Sequence, residues 1–407
     1  MSIEIRAITP DETIAYRRRI REGFGMAETK DDEEWARDFV QPLDRALAAY
    51  DGERIVATLR SFANELTLPG GAQVPVGALT SVTSAATHRR RGLLTRMIDR
   101  DLRASVERGE VADILIAAEY PIYGRFGYGP AALSTSWELD VRLTQFAEPG
   151  VGTVEFVDNE TLRKEAPPIF ERVRATRPGM IGRRDFVWDL RTDVRRPPED
   201  KEWHGFRVLV RDDDGVAQGW ASYKIKDHWD DMVPRSTAQV ADLCAATPAA
   251  EARLWRYLAE LDQIAKVTAE DRPADELLPL LLHNARAARQ SYRGDFLWVR
   301  PLDVAQLLES RTYDTTGRVV LEVKDAQDIA TGRYLLDASP EGATCTRTDE
   351  AADVTLSVMA LGAASLGETR LAHLHRAGWL DEERPGAVAV ADRLLAGAVT
   401  PWCNTWF

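Results

Sequence analysis

The chain has 407 residues, which is too long for one ordinary domain, so we expect two or three domains. A hydrophobic content of 44% is enough to build packed cores, and no apolar run approaches the length of a membrane span. The net charge of −13 argues against a nucleic-acid-binding protein, because phosphate contacts require basic surfaces. An acidic protein can attract a polycationic substrate, although such charge can also serve only to keep a soluble oligomer dispersed.

The cysteines and histidines indicate neither a disulfide framework nor a metal site. Cys244, Cys345 and Cys403 lie far apart in the chain and match no zinc-ligand spacing. His373 and His375 would point about 200° apart on a helix, which is a poor arrangement for binding a metal. The first residues lack an apolar signal region, so the sequence predicts a cytoplasmic protein without a bound metal.

Residues 1–150 alternate between predicted strands and helices. A strand begins near Ile3, and residues 9–12 combine a capping box with a proline at the first helical position. Two short amphipathic helices follow, which carry Phe24 and Trp35. Glycine-containing turns then separate the strands of a hairpin sheet.

The most informative stretch is residues 79–94, in which an apolar, β-branched run gives way to three arginines and a glycine. A regular amphipathic pattern follows, so the sequence predicts a strand, a tight turn and a helix. The amides of the first helical turn lack intrahelical partners and form the positive end of the helix dipole, so an anion is expected there. Gly92 lets a ligand approach the backbone without meeting a Cβ atom. The stretch predicts a phosphate-binding site, with a solvated basic turn as the alternative.

The spacing of this stretch excludes two well-known phosphate-binding loops. The Walker pattern needs Gly-Lys-Ser/Thr four residues after a first glycine, and the dinucleotide fingerprint needs three glycines. What remains is Arg89-x-x-Gly92-x-Leu94 after a strand, which resembles the pyrophosphate-binding motif of the GCN5-related N-acetyltransferases (GNATs). In that wider family the third position is more often glycine or alanine, so Leu94 departs from it.

Residues 111–118 form a nearly continuous apolar run, typical of a strand that is buried on both faces. We expect this strand beside the one that ends near Val82, with the residues after it at the carboxyl edge of the sheet, where ligands of open sheets bind. Free amides at Val82, Thr83 and Ser84 would pair with an amide-containing ligand and stabilise a developing oxyanion. An ordinary paired strand is the alternative.

Residues 119–130 contain three tyrosines, Tyr120, Tyr123 and Tyr128. When an amine attacks a thioester, the amine must lose a proton and the departing thiolate must gain one. A phenol whose proton lies near the sulfur can supply that proton. Composition cannot choose among the three tyrosines, and tyrosines in such segments are more often packed than catalytic.

Residues 151–299 are predicted to be richer in helix, with a break at Pro167 and Pro168. A strand over residues 206–210 and a helix from Pro248 give a sheet-plus-helix plan without a second phosphate-binding motif. This part of the chain is therefore a degenerate copy of the first domain or a separate α+β domain.

Residues 300–407 begin with alternating strands and end in helices and an aromatic tail. Chain ends are usually frayed and polar, whereas this one carries Trp402, Trp406 and Phe407. The aromatic residues suggest a docked tail, which would place the α-carboxylate of Phe407, with an ordinary pKa of about 3.3–3.7, in a defined site. Hydrophobic anchoring without chemistry is the alternative.

Three segments together resemble the enhanced intracellular survival (Eis) family of acetyltransferases: residues 82–94, residues 122–130 and the ending at residues 401–407. The chain length and the three-part organisation agree with the same family, so the resemblance covers the whole chain. Leucine at the position of Leu94 is usual in Eis proteins, which accounts for the departure from the wider GNAT motif.

The resemblance implies an α/β (α+β) architecture with a GNAT domain at residues 1–150, a central GNAT-like domain at 151–299 and a sterol-carrier-protein-like α+β domain at 300–407. It implies acetyl-CoA as co-substrate, Tyr123 as general acid and the free carboxylate of Phe407 as general base. Members of the family acetylate amines of aminoglycosides, and lysines in some cases, and assemble as homohexamers. The residues implied to hold acetyl-CoA are Val82, Thr83, Ser84, Arg90, Arg91, Gly92, Leu93, Leu94, Thr95, Ala118 and Glu119.

The residues that bind the amine are less well defined. Phe24 and Trp35 are candidates, since they lie on the helices before the sheet, and core packing is the alternative for both. The acidic residues 31–34 are candidates for binding a cation. The sequence thus predicts an acetyl-CoA-dependent N-acetyltransferase that acts on a polycationic amine by direct attack. The alternative function is a non-catalytic protein that binds CoA or, in its C-terminal domain, a lipid.

Overall fold

The computed structural model describes residues 3–26, 33–147, 150–197 and 203–407. A twelve-stranded sheet runs through the first two regions of the chain, and a separate five-stranded sheet forms most of the third. Within the described ranges, no helix is both long and apolar enough to cross a bilayer.

The first region forms the predicted alternation of strands and helices. The capping box predicted at residues 9–12 is present, and Tyr16 and Ile20 bury one face of the first helix against the sheet. The elements are β1 (Glu4–Ala7), α1 (Thr13–Gly23), α2 (Glu33–Phe39), β2 (Ala46–Asp51), β3 (Arg54–Thr67), β4 (Gln73–Ser84), α3 (Leu93–Glu107), β5 (Ala112–Ile116), α4 (Tyr120–Tyr123) and β6 (Gly129–Asp140).

The second region contains more strand than the sequence predicts. The elements are β7 (Thr153–Phe156), α5 (Asn159–Arg174), α6 (Asp185–Arg191), β8 (Phe206–Arg211), β9 (Ala217–Lys226), β10 (Trp229–Asp230), β11 (Val233–Pro234), β12 (Ser236–Ala245), α7 (Pro248–Ala259), β13 (Ile264–Arg272) and β14 (Ala288–Pro301). The predicted break at Pro167 and Pro168 is wrong, because both prolines lie inside α5. The helix continues since it buries an apolar face that includes Leu162, Ile169 and Phe170.

The large sheet does not respect the boundary between the first two regions. Its strand order is β1-β2-β3-β4-β5-β14-β6-β13-β12-β9-β8-β7. β14, from the end of the second region, therefore lies between β5 and β6 of the first, and β6 pairs with β13 of the second. Side chains from both regions consequently meet at the middle of one sheet.

The third region packs its own sheet and helices onto the middle of the large one. Its elements are α8 (Val304–Glu309), β15 (Gly317–Lys324), β16 (Gly332–Ser339), β17 (Gly342–Arg347), β18 (Val354–Ser357), α9 (Val358–Ala364), α10 (Leu371–Arg376), β19 (Leu380–Glu382) and α11 (Ala387–Leu395). Helix α9 lies so close to β6 that a Cβ on Gly129 would collide with the Met359 carbonyl oxygen. A buried ion pair joins β14 of the large sheet to the third region, since Arg300 donates a 2.7 Å hydrogen bond to Asp325.

Candidate active site

Strands β4 and β5 run side by side over only part of their length. Parallel pairing joins residues 76–79 to residues 112–115 and then stops, while β4 continues. A bulge lies in the continuing part: Ser81 has a φ of 56°, and the pairing of β3 with β4 shifts register there. Thr58 secures the bulge, because its hydroxyl donates a 2.8 Å hydrogen bond to the Ser81 carbonyl. The separation leaves the β5-facing edge of residues 82–84 without a partner from β5.

The loop between β4 and α3 has the backbone form of an anion-binding turn. Arg90 and Gly92 both lie in the left-handed region, with φ values of 62° and 70°. Gly92 is the N-cap of α3, a helix of 15 residues whose N-terminus receives no side-chain cap. A Cβ on Gly92 would meet no atom within 4 Å, so the space beside it is open. The predicted order of strand, turn and helix is confirmed, and the uncapped helix end suits a phosphate.

His88 holds this loop against the end of β2. Its ring is largely buried, with Nε2 3.1 Å from an Asp51 carboxylate oxygen and Nδ1 2.8 Å from the Thr87 hydroxyl. The hydrogen bond with His88 lowers the pKa of Asp51. These contacts fix the start of the loop that carries the arginines.

A cavity of about 770 Å³ opens between this loop, the edge of β4 and the segment that follows β5. Arg89, Arg90 and Arg91 give it a basic wall, and the Glu119 carboxylate lies 3.9 Å from the Arg89 guanidinium. Its lining includes every residue for which the sequence predicts a contact with acetyl-CoA, namely Val82, Thr83, Ser84, Arg90, Arg91, Gly92, Leu93, Leu94, Thr95, Ala118 and Glu119. We call this the basic cavity.

The three tyrosines after β5 have different surroundings. Tyr128 is fully buried and donates a 3.0 Å hydrogen bond to Asp113, so its phenol belongs to the core. Tyr120 is 52% exposed and lines a second cavity. Tyr123 is 7% exposed and lines the basic cavity, where burial and, to a lesser extent, Glu119 raise its pKa to about 12. Tyr123 is therefore a protonated phenol at neutral pH in the wall of the basic cavity.

The second cavity, of about 640 Å³, adjoins the basic cavity at Ala118, which lines both. Three carboxylates line it: Glu270 and Asp271 from β13 and Asp295 from β14. Burial raises the pKa of Asp271, whereas Asp295 accepts a 2.7 Å hydrogen bond from the Trp298 indole. The remaining lining is made largely of hydroxyl-bearing and aromatic side chains, which include Ser134, Ser136, Ser291, Tyr120, Tyr292, Phe296 and Trp406. We call this the acidic cavity, and its charge suits a polycation.

Sequence reasoning missed the acidic cavity. Its carboxylates belong to β13 and β14, which reach the first region because both strands pair with β6. A signal was available in β14, where polar residues directly precede the buried run of residues 296–299. That pattern indicates a strand that leaves the core at the position of Asp295.

The end of the chain is docked, as its aromatic residues predict. Trp402 is 5% exposed, and its indole donates a 2.8 Å hydrogen bond to the Asp271 carbonyl. The Trp406 indole donates a 2.7 Å hydrogen bond to the Asp271 carboxylate and lines the acidic cavity. The Phe407 ring packs edge-on against Phe62 of β3, with ring centroids 5.8 Å apart. Trp406 thus contributes to the lining of the acidic cavity, and the next residue, Phe407, packs on β3.

The structure separates the aromatic residues that were expected at an amine pocket. Phe24 is 47% exposed and lines the basic cavity. Trp35 is 5% exposed, and its ring lies 5.2 Å from Phe186 of α6 and 5.1 Å from the Arg195 guanidinium. Trp35 packs between the first two regions and lines neither the basic cavity nor the acidic cavity, so its contact with the amine stays a prediction. The acidic candidates at 31–34 lie outside the described side chains.

In the part of the chain that the structure describes, neither a metal site nor a lipid pocket accompanies the two cavities. Within the described ranges, no group of three His, Cys, Asp or Glu side chains is arranged to hold a metal. Cys244, Cys345 and Cys403 are all free and buried. A cavity of about 520 Å³ on the third region has charged residues such as Arg333 and Arg347 in its wall, which does not suit an apolar lipid.

Comparison with known proteins relates this geometry to one family. Residues 4–131 and 179–301 each match an acetyltransferase (GNAT) domain, and residues 304–404 match a sterol carrier protein domain. An uncharacterized N-acetyltransferase of Streptomyces avermitilis is 44% identical over 100% of this chain and 99% of its own. N-acetyltransferase Eis of Mycobacterium tuberculosis is 35% identical over 83% of each chain. The crystal structure of Eis1 from Mycobacterium abscessus has a TM-score of 0.88 and 29% identity, covering 99% of this chain and 100% of that one.

These matches confirm the predicted fold class, with two GNAT domains and a C-terminal sterol-carrier-like domain. They also agree with the separated strands and the uncapped helix that form the basic cavity, since GNAT enzymes use acetyl-CoA. The chain belongs to the Eis family of GCN5-related N-acetyltransferases.

Proposed function

We propose that this N-acetyltransferase transfers the acetyl group of acetyl-CoA to an amine of a polycationic small molecule such as an aminoglycoside. The observation that carries the proposal is a pair of adjoining cavities of opposite charge. Residues 89–91 line the first with guanidinium groups, three carboxylates line the second, and Ala118 lines both. A pyrophosphate needs positive surroundings, and a polycation needs negative ones.

The basic cavity suits the donor on two grounds. The arginines and the uncapped start of α3 would hold the pyrophosphate, and residues 82–84 would offer backbone groups to the amide-rich pantetheine arm. The thioester would then lie near Ala118, because the two cavities meet there.

In the proposed reaction the amine attacks the thioester carbonyl directly, so that a C–N bond forms and the C–S bond breaks. The amine proton passes to the terminal carboxylate of Phe407, directly or through water, and the Tyr123 phenol gives its proton to the CoA thiolate. The phenolate then regains a proton from solvent. Backbone amides of residues 82–84 would stabilise the charge that develops on the carbonyl oxygen.

The docked tail supports the proposed base. Trp406 is tied to Asp271 inside the acidic cavity, and Phe407 follows it directly. An α-carboxylate has an ordinary pKa of about 3.3–3.7 and is therefore ionised at neutral pH, ready to accept a proton.

The homohexamer and the cytoplasmic location remain predictions.

The function is tested by following thiol release from acetyl-CoA with amines of increasing positive charge, from a monoamine that carries no other charge to aminoglycosides. We expect turnover of the polyamines, with KM values for the amine that rise with ionic strength, because salt screens the acidic cavity. A protein that binds CoA but acetylates no amine in the panel would contradict the proposal.

Replacing Gly92 by valine should weaken CoA binding about tenfold or more, as measured by titration calorimetry. The new side chain would occupy the open space beside the start of α3. Gly52→Val is the matched control, since Gly52 has a φ of 63° and equally open surroundings but lies in the turn between β2 and β3. Equal losses of affinity in both variants would attribute the effect to backbone strain rather than to the ligand.

Tyr123→Phe should lower kcat by a factor of about 10²–10³ and leave the KM for acetyl-CoA unchanged. Because the pKa of Tyr123 is raised to about 12, its phenol stays protonated from about pH 6 to pH 10, and kcat should show no loss from this group over that range. Tyr120→Phe serves as the comparison, with kcat expected within about threefold of wild type. Steady-state kinetics with the opposite ranking would assign the acid to Tyr120.

Adding two glycines after Phe407 should lower kcat by about a hundredfold at neutral pH, because the carboxylate is displaced while the aromatic residues remain. Phe407→Ala is the paired variant: it keeps a terminal carboxylate and removes the ring that packs on Phe62. We expect Phe407→Ala to retain more activity than the extended protein. Full activity of the extended protein would remove the terminal carboxylate from the mechanism.

A further inference from the structure

The second GNAT domain repeats the strand separation of the first. β12 and β13 pair in parallel only as far as Val240 and Ala269, although both strands continue beyond these residues. As in the first domain, a helix follows the first strand of the pair, here α7 after β12. The separated ends carry Asp242 on β12 and Asp271 on β13.

The last residues of the chain bind at this separation. Trp402 packs in the core beside Trp220 and Cys244, and its indole donates to the Asp271 carbonyl at 2.8 Å. Trp406 donates to the carboxylate of the same aspartate at 2.7 Å. The second pair of separated strands therefore holds a segment of the protein itself.

Arg183 makes two hydrogen bonds to this segment, and Arg191 adds a third, of 3.0 Å, to the Asn404 carbonyl. The Arg183 guanidinium donates 3.0 Å hydrogen bonds to the Thr405 hydroxyl and the Asn404 carbonyl, and a 3.1 Å hydrogen bond to Asp242. The side chain is fully buried, and the guanidinium carbon lies 4.4 Å from the centroid of the Phe170 ring. Three donor nitrogens of a planar group are thus committed, which fixes the position of the tail backbone.

The chain just before Arg183 is in turn attached to the first domain. Thr67 of β3 accepts a 2.8 Å hydrogen bond from the N–H of Gly179 and donates a 3.0 Å hydrogen bond to the carbonyl of Met180. β3 also carries Phe62, against which the Phe407 ring packs. The segment that carries Arg183 therefore links the tail to β3, which pairs with β4, the strand whose end lines the basic cavity.

We propose that Arg183 is a positioning residue for acetyl transfer, which sets the depth of the C-terminal segment between β12 and β13. At that depth Trp406 forms part of the wall of the acidic cavity and the carboxylate of Phe407 reaches the amine. The inference rests on the proposed role of that carboxylate and adds the residue that places it.

Arg183→Lys is the informative substitution. Lysine keeps a positive charge opposite Asp242 but cannot make three hydrogen bonds in one plane. At pH 7.5 we expect kcat to fall roughly ten- to a hundredfold, because a catalytic base that is displaced by about 1 Å can lose up to about a hundredfold in rate. The KM for acetyl-CoA should stay unchanged. The deficit in kcat should shrink as the pH is raised to 9.5, because the unprotonated fraction of an amine with an ordinary pKa of about 10 rises from roughly 0.3% to roughly 24% over that range.

Arg311→Lys is the matched control. Arg311 is 3% exposed and donates 2.9 Å hydrogen bonds to the carbonyls of Ser365 and Leu395, so its replacement disturbs the third domain to a similar degree. We expect both variants to lose thermal stability, but only Arg183→Lys to show the pH-dependent loss of kcat. Trp406→Phe is a third variant, and its folding should be unaffected because Trp406 is 54% exposed. It should show a smaller loss of kcat than Arg183→Lys, with the same relief at high pH.

Three results would overturn the inference. Parallel losses of activity and stability in Arg183→Lys and Arg311→Lys, without relief at high pH in Arg183→Lys or Trp406→Phe, would make Arg183 a structural residue only. Unchanged kcat in Arg183→Lys, together with an inactive two-glycine extension, would leave the carboxylate as base and refute only its placement by Arg183. Full activity of the extended protein would refute the base and the inference together.

Discussion

A parallel strand pair that separates leaves backbone donors and acceptors that need other partners, and this constraint shapes both halves of the large sheet. In the first half the separation of β4 from β5 opens a cavity beside a helix whose N-terminus has no side-chain cap. In the second half α7 is capped, because the Thr247 hydroxyl accepts a hydrogen bond from the N–H of Ala250 at 3.2 Å. A capped helix has less to offer an anion, and the protein's own tail takes the place of a ligand.

Buried ion pairs hold the regions in the positions that this arrangement requires. The side chains of Arg300 and Asp325 are both fully buried. Burial alone would raise the pKa of Asp325, but the Arg300 guanidinium holds that pKa below its ordinary value. Arg183 and Asp242 form a second such pair at the tail. Replacing a buried pair by apolar residues is often neutral, whereas removing one partner costs about 3–5 kcal/mol. The Arg300–Asp325 pair therefore specifies how the third region meets the large sheet, and the Arg183–Asp242 pair, within the second domain, fixes the group that holds the tail.

Local signals in the sequence were sufficient for the basic cavity and insufficient for the acidic one. The strand, turn and helix at residues 79–94 depend on near neighbours, so periodicity and one glycine predict them. The acidic cavity depends on β13 and β14 pairing with β6 of another domain, and no local pattern encodes that pairing. Burial separates Tyr128 from Tyr123, a distinction that composition could not make. Trp35 shows the other use of an aromatic residue on an amphipathic helix, since its ring packs against Phe186 of the second region.

In the proposed mechanism the acid and the base come from distant parts of the chain, Tyr123 from the first domain and Phe407 from the end of the third. The acidic cavity that would hold the amine is lined by strands of the first two domains and by Trp406. The core of the third domain is filled by its own side chains, from Val304 to Leu395. Its contribution to catalysis is then to deliver the tail to the separated strands of the second domain, so that three domains complete one site.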